Sequence, residues 1–422
     1  MARRGYDSAP ERSRPEAARP DVRAPADPVL IRPDHNFVHE IAAAGGGDLK
    51  KCFQCATCSA VCALSTGSVP FPRKEMHWAQ WGLKDRLFGD PDVWLCHQCG
   101  DCSVQCPRGA RPADVLAAVR ALVVRHFSVP RSLANGLTRP AFLAAAFAAT
   151  AALLAAALLV RAPLEVALGI GGHEAEFYAA FFPHWLLIGF FSLFTALGIA
   201  AAAIGLTRFW HALQVHDAAT GPSPVITGTL PATGRALATI LTHRQFAQCT
   251  SHRYRRLAHL GVFFGFAVLL LVTVWAVCDL YLFPRLGIAS AYPFDLSHPL
   301  KLLANVGGVA LVAGTVQLMV VRSGHRAYAP TTSTFDRYFL WLVLGVGSTG
   351  FAVEILRFAA EPDPAAGIRT VAYVTYFIHL VLVFQLLVFL PYTKFAHMLY
   401  RTVAMVYAER TGRNHQLSRR LA

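Results

Sequence analysis

The chain has 422 residues, of which 55% are hydrophobic and only 15% charged, with Lys+Arg 39 against Asp+Glu 25 for a formal net charge of +14. An ordinary soluble chain is about one-quarter charged, so this balance excludes a disordered polymer and an ordinary soluble enzyme. A small disulfide scaffold is excluded too, since the 10 cysteines are spread over a long chain with eight of them between Cys52 and Cys106. What remains is a cysteine-rich module joined to a membrane protein.

Residues 1–28 mix Arg, Ala, Pro, Asp and Glu without an apolar run, which predicts a disordered tail and no signal peptide. The module over residues 29–130 follows. Cys52-Phe-Gln-Cys55-Ala-Thr-Cys58-Ser-Ala-Val-Cys62 has the spacing C-x2-C-x2-C-x3-C, and it recurs at Cys96-His-Gln-Cys99-Gly-Asp-Cys102-Ser-Val-Gln-Cys106-Pro107. Three closely spaced thiolates wrap one corner of a cubane, and the chain carries the fourth away to the other cluster. The expected ligands are therefore Cys52, Cys55, Cys58 and Cys106 on one [4Fe–4S] cluster, and Cys62, Cys96, Cys99 and Cys102 on a second. Zinc would leave the third cysteine of each run superfluous. Between and after the runs, Glu75–Phe88 and Asp114–Val124 read as helices, with Trp78 and Trp81 as core that shields the clusters.

Beyond Arg139 the apolar runs lengthen. Ala141–Val160, His184–Thr207, Leu257–Cys278, Leu302–Val321, Tyr338–Phe358 and Thr370–Thr393 are each long enough to cross the hydrocarbon, giving six transmembrane helices over residues 140–407 and a basic tail over 408–422. With the module on the inside, the inner loops and tail carry 15 Lys+Arg and the outer loops 5, which puts both termini in the cytoplasm. The fold class is thus all-α: a helical two-cluster domain followed by a six-helix bundle. Topology explains the positive charge, and no nucleic-acid partner is expected.

Histidines at membrane depth are rare and usually functional. His379 and His397 are 18 residues apart. On one continuous helix they share a face at about 27 Å along the axis, which suits two stacked haems, although Pro391 lies between them. The expected axial pairs are His259 with His397 for an inner haem b, and His298 with His379 for an outer one. His243 and His252 are alternates. Gly261, Gly265, Gly307, Gly308 and Gly314 would either lie against a flat macrocycle or pack helix on helix. Arg253, Arg255 and Arg256 would face haem propionates or anchor at the headgroups. Gly345-Val-Gly-Ser-Thr-Gly350 sits inside an apolar helix with no strand before it, so it implies no dinucleotide site. Cys249 and Cys278 are spare.

The segment Cys52–Cys106 resembles the two-cluster HdrC component of heterodisulfide reductases. The membrane half resembles the cytochrome b component of respiratory nitrate reductases, most clearly at His379-Leu-Val and at Leu390-Pro-Tyr-Thr-Lys-Phe-Ala-His397. The nitrate reductase protein has a further ligand ten residues after the first histidine, where this chain has Leu269, so a single haem is the alternative. The two modules in one chain resemble the membrane component of quinone-interacting membrane-bound oxidoreductases (Qmo). The resemblance implies a component of the bacterial inner membrane that links the quinone pool, through haem b and the two clusters, to flavin and iron–sulfur partner subunits, and indirectly to adenylylsulfate reductase. Lys301 and Asn305, just beyond His298, are the expected quinone contacts, while Glu354, near the outer interface, either just reaches the headgroups or accepts a quinol proton. Heterodisulfide-reductase-like and sulfite-reductase-associated membrane subunits are the near alternatives. From other classes, a metal-binding transporter or sensor predicts charged or broken membrane helices, and a structural anchor predicts clusters without haem.

Overall fold

A computed structural model describes residues 32–168, 177–221, 223–243, 253–290, 292–324, 334–361 and 366–413. The tail expected over residues 1–28, His252 and Cys249 lie outside them. Among the described residues the chain is helical throughout, with no strand.

The module begins at α1 (His35–Ile41), where Asp34 caps the helix by accepting from the Phe37 amide at 3.1 Å. The helical stretch expected over 75–88 is two helices, α2 (Arg73–Gln80) and a short one at Lys84–Phe88. Gly82 divides them. Its φ is +66°, and a Cβ there would meet the Asp34 carbonyl oxygen at 2.3 Å, so only glycine allows this close crossing of the two segments. Proline at the first position starts α3 (Pro112–Phe127), which buries Val115, Leu116, Val119, Leu122 and Val123 against Phe37, Trp94 and Leu87. Trp78 packs on this core. Trp81 does not, being half exposed on the surface, because the chain turns at Gly82 immediately after it.

Among the described residues six helices are long and apolar enough to cross a membrane: α4 (Pro140–Leu159), α5 (His184–Thr220), α7 (Arg253–Tyr281), α8 (Pro299–Gly324), α9 (Thr334–Ala360) and α10 (Ala366–Val388). A further helix, α6 (Thr229–Thr242), joins α5 to α7 and packs on the last helix. Outward-facing leucines and isoleucines such as Leu193, Leu197, Ile199, Leu270 and Leu271 are exposed, as lipid-facing positions are. With 37 residues, α5 is longer than a single crossing needs. Its far end enters the module, where Phe209 and Leu213 are fully buried.

Backbone approach holds α7 to α8. A Cβ on Gly265 would lie 2.5 Å from the Gly307 carbonyl oxygen, and one on Gly314 would lie 2.6 Å from that of Ala258. These glycines are helix-packing residues, as small residues are in membrane bundles. Gly308 faces the Phe351 ring, and Gly347 and Gly345 face Val312 and Leu382. Gln385, fully buried in α10, donates to the Ala146 carbonyl at 3.0 Å and to Thr150 Oγ1 at 2.8 Å, and accepts from the Tyr338 hydroxyl at 3.2 Å. One amide thus ties α4, α9 and α10.

The last part of the chain departs from the expectation of one continuous helix carrying both His379 and His397. Helix α10 ends at Val388, a 3₁₀ turn covers Leu390–Tyr392, and Thr393 is extended before α11 (Ala396–Arg410) begins. Pro391 explains the break, because it removes an amide donor and its ring clashes with the preceding turn. Helix α11 then joins the module rather than the membrane bundle. Tyr400 stacks on Trp94 at 5.3 Å between ring centres and meets Phe209 at 5.1 Å, while Ala404, Met405 and Ala408 are buried beside it. Arg413, placed in the tail by sequence, binds Asp92 at 2.8 Å and the Leu64 carbonyl at 3.1 Å. Removing the central ring from this contact should cost about 3 kcal/mol, the low end for a buried aromatic. Tyr400→Ala is expected to lower the apparent Tm of the detergent-solubilised protein by several degrees, whereas Tyr400→Phe keeps the packing and stays close to wild type.

Candidate functional site

Each cysteine run wraps through a pair of left-handed residues around its middle cysteine. Gln54 and Ala56 flank Cys55 at φ 59° and 68°, and Gln98 and Gly100 flank Cys99 at φ 53° and 89°. Short helices at Thr57–Ala60 and Asp101–Val104 then carry Cys58 and Cys102 back towards the others. Three of these four left-handed positions are not glycine, a conformation that costs roughly 1–2 kcal/mol each. The repeated Cys-x-Gln-Cys was the sequence signal for this wrap. Both glutamine side chains anchor it: Gln54 donates to Gln80 Oε1 at 3.0 Å and Gln98 to the Ala113 carbonyl at 3.1 Å.

Cys52, Cys55, Cys58 and Cys106 line one small cavity together with Phe53, Arg73 and Arg108. Cys62 is absent from it and feels instead the charges of Cys96 and Cys99. Cys102 neighbours Cys96, Cys62 and Cys99. Three cysteines of one run therefore gather with the last cysteine of the other, twice. Burial first, and neighbouring thiolates second, push the Cys58 thiol up to about 11 and the Cys62 thiol up to about 12. Thiolates crowded in this way need cationic metal among them, and the two four-sulfur groups fit iron–sulfur clusters. N–H donors already point at sulfur, from Gln98 N to Cys96 Sγ and from Ala110 N to Cys106 Sγ, each at 3.4 Å.

The second group abuts the membrane half. Arg401 of α11 donates to the Cys96 carbonyl at 3.1 Å and contacts His97 Nδ1 at 3.0 Å. Arg255 of α7 donates to the Gln98 carbonyl. Burial, then the Arg401 charge, lowers His97 to about 3, so this imidazole is neutral. One turn before Arg401, His397 uses Nδ1 on the Lys394 carbonyl. His397 and His259 lie within electrostatic reach of each other, and His243 at the end of α6 is 5.4 Å from His259 between ring centres. The expected inner pair thus comes together, with His243 beside it. A neutral imidazole held through Nδ1 leaves Nε2 to coordinate a metal, so this cluster fits a haem iron.

The expected outer pair does not come together. His379 is bonded through Nδ1 to Thr349 Oγ1 at 2.9 Å and faces Gly350. His298 stacks on Phe294 at 4.6 Å, and its Nδ1 accepts from the Leu300 amide at 3.3 Å. Asn305 is level with Glu354, Gly308 with Phe351, and Gly350 with His379. Followed through these neighbours, His298 sits about 16 Å from His379 along the helix axes, at 1.5 Å per residue. Its place at the very start of α8, before Pro299, keeps it at the rim. The residues do not fit a haem bridging these two histidines. Lys301 and Asn305 do converge, on Glu354, at 3.0 Å and 3.1 Å.

A third group had no sequence signal. Glu75, Asp90 and Asp92 are buried with their carboxylates within 4.8 Å of one another. Lys74 reaches all three, at 3.1, 3.0 and 3.3 Å. Burial opposes the Lys74 charge, but the carboxylates of Asp90, Glu75 and Asp92 outweigh it and raise its pKa. The lysine already occupies the place a cation would take, so the group is a structural ion-pair cluster.

Comparison with known proteins divides the chain in the same way. A family described as 4Fe-4S dicluster domain matches residues 48–110, and one described as Citrate utilization protein B matches residues 136–418. The HdrC component of an H(2):CoB-CoM heterodisulfide,ferredoxin reductase from Methanothermobacter marburgensis is 38% identical over 21% of this chain and 47% of its own length. An HdrC-like heterodisulfide reductase protein from Archaeoglobus profundus is 32% identical over 22% of this chain and 50% of its own. The chain spans about half the length of these relatives. Citrate utilization protein B of Escherichia coli is 27% identical over 85% of this chain and 89% of its own length. No solved structure matches. The amino-terminal module is therefore a 4Fe–4S domain like that of the heterodisulfide reductase HdrC proteins, on a chain with six membrane-length helices. With its family model covering most of the sequence, the chain belongs to the Citrate utilization protein B family.

Proposed function

We propose that the protein passes electrons between the membrane quinone pool and flavin and iron–sulfur partner subunits on the cytoplasmic side. The observation that carries this reading is that Arg401, one helical turn beyond His397 on α11, holds the second cysteine loop through Cys96 and His97. Cys52, Cys55, Cys58 and Cys106 are assigned to one cluster, Cys62, Cys96, Cys99 and Cys102 to the other, and His259 and His397 to one haem b. When bound, these groups supply one-electron carriers, whose potentials their surroundings tune. The chain's own contribution is to hold them in series. Helix α11 brings His397 beneath the module, Arg255 and Arg401 pin the second loop over it, and the buried cores of both halves exclude water. Positive charge in the inner loops supports the cytoplasmic orientation.

Lys301, Asn305 and Glu354 are assigned to the quinone, as polar groups in the outer half of an apolar bundle. Glu354, bonded to both neighbours, is the group positioned to take or return a quinol proton. As for the process served, the sequence resemblance implies sulfur metabolism through adenylylsulfate reductase. The relative that spans 85% of this chain bears a name tied to citrate utilization, and that coverage favours citrate utilization as the second reading.

Purified protein should contain about eight non-haem irons and show a b-type α-band on reduction, as two cubanes and a haem require. His397→Ala is expected to abolish that band while the cluster EPR signals persist, and His298→Ala to leave it intact. Zinc without a haem band overturns the assignment. Glu354→Gln should slow menaquinol oxidation at least tenfold, within the range for loss of an acid–base group, with both spectra unchanged. An unaltered rate removes the three outer residues from the quinone assignment. On the second reading, deletion of the gene abolishes growth on citrate; normal growth there leaves the sulfur reading in place.

A further inference from the structure

We propose that the exposed edge of the first cysteine loop is a docking face for an acidic patch on a soluble redox partner. The inference rests on the electron-transfer reading above and names the chemistry of its partner.

The two cysteine groups have different surroundings. The second is closed in, with Cys96 and Cys102 buried and the loop held by Arg401 and Arg255 from the membrane half. The first opens outward. Cys55 is exposed, and Phe53 beside it is 67% exposed, unusual for a large ring in a packed module. All residues that line the first cavity come from the module, between Cys52 and Pro112, and none is acidic. Electron tunnelling weakens steeply with distance, so a partner's redox centre has to approach this edge.

Arg73 and Arg108 frame the edge. Both are exposed and line the cavity, and the Arg108 guanidinium lies 4.2 Å from the centre of the Phe53 ring. Among the described residues neither arginine has a carboxylate partner. Nearby basic residues with structural roles do have one: Lys51 pairs with Asp48 at 2.6 Å, and Arg111 with Asp114 at 2.5 Å. An exposed aromatic ring beside guanidinium groups that lack a carboxylate partner is the composition enriched at protein interfaces. Positive charge that is uncompensated on the chain selects a negative surface and speeds encounter with it. An anionic lipid headgroup is a poor occupant, because the membrane half approaches the module through the other cysteine group.

The test uses full-length protein in non-ionic detergent with its clusters in place, and an acidic [2Fe–2S] ferredoxin as the probe. Wild type is expected to bind the oxidised probe more weakly as salt rises, since the attraction is screened. The double variant Arg73→Glu/Arg108→Glu should raise the Kd at least tenfold and remove the salt dependence, with Arg73→Gln/Arg108→Gln falling between. One electron then passes from the reduced probe to an oxidised [4Fe–4S] cluster, with no proton or bond change. That rate should fall in parallel with binding, with wild type and variants compared at equal cluster content read from iron and acid-labile sulfide.

Arginines that serve only the cluster would leave probe binding unchanged, and that result overturns the proposal. So does a charge reversal that dissociates a dimer of this chain without altering probe binding. Should purified wild type lack cluster iron and still lose the probe on charge reversal, docking stands and the electron-transfer reading fails.

Discussion

The arrangement depends on the point at which the last membrane helix stops. Inside a bilayer every backbone polar group must be satisfied within the protein, so a break in a helix is tolerated only where other groups take over its bonds. Pro391 produces such a break, and residues at the end of the module cover it. The Tyr392 hydroxyl donates to the Val129 carbonyl at 2.6 Å, and Ser128 Oγ lies 3.5 Å from the Pro391 carbonyl. Because the chain turns here, α11 leaves the bundle and runs into the module's core. Without that turn Arg401 would not reach the second cysteine loop, Tyr400 would not stack on Trp94, and His397 would have no reason to lie under that loop.

Charge then fixes this docked helix in one register. Arg413, beyond the end of α11, meets Asp92, which already belongs to the Lys74 cluster with Glu75 and Asp90. Burying these groups is costly, and an apolar core of the same volume would often be at least as stable. What the ions add is directionality, since Arg413 and Lys74 share the Asp92 carboxylate only when α11 is seated. Arg235 of α6 holds Glu409 at 3.1 Å from the other side. The end of α11 is thus gripped by module and linker together, and the Tyr400–Trp94–Phe209 stack supplies the apolar contact between those grips.

The parts legible in the sequence were those set by spacing and length. Two C-x2-C-x2-C-x3-C runs dictate a crossed pair of four-sulfur groups, and Cys62 and Cys106 do sit with the opposite run. Twenty apolar residues in a row dictate a membrane-length helix, and all six are present. What was not legible depends on partners distant in the chain. His379 and His397 look coaxial by counting, but the count assumes one helix, and Pro391 divides it. His298 and His379 looked level because both fell in the outer leaflet, yet the depth of each depends on interhelical contacts such as Asn305–Glu354. The acidic group around Lys74 has no periodicity at all, because it is assembled from the start of α2, the segment around Asp90 and Asp92, and Arg413 beyond α11.

The glycines show the same distinction in its strictest form. Gly261, Gly265, Gly307 and Gly314 permit either a flat ring or another backbone, and sequence cannot separate the two. In the fold their missing side chains are matched by backbone, with Gly265 against Gly307 and Gly314 against Ala258, so α7 and α8 leave no slot between them on that face. His379 meanwhile commits one ring nitrogen to Thr349, within α9 and α10. The outer half of the bundle is closed by packing, and its uncommon features are polar: Lys301, Asn305 and Glu354 bonded across two helices. The inner half has the reverse character, with three imidazoles grouped where α6, α7 and α11 meet beneath a cysteine loop. A one-electron carrier needs a metal site near the clusters, whereas proton exchange needs an ionisable group near an aqueous edge. In the function proposed above, those two kinds of chemistry would belong to opposite ends of the bundle.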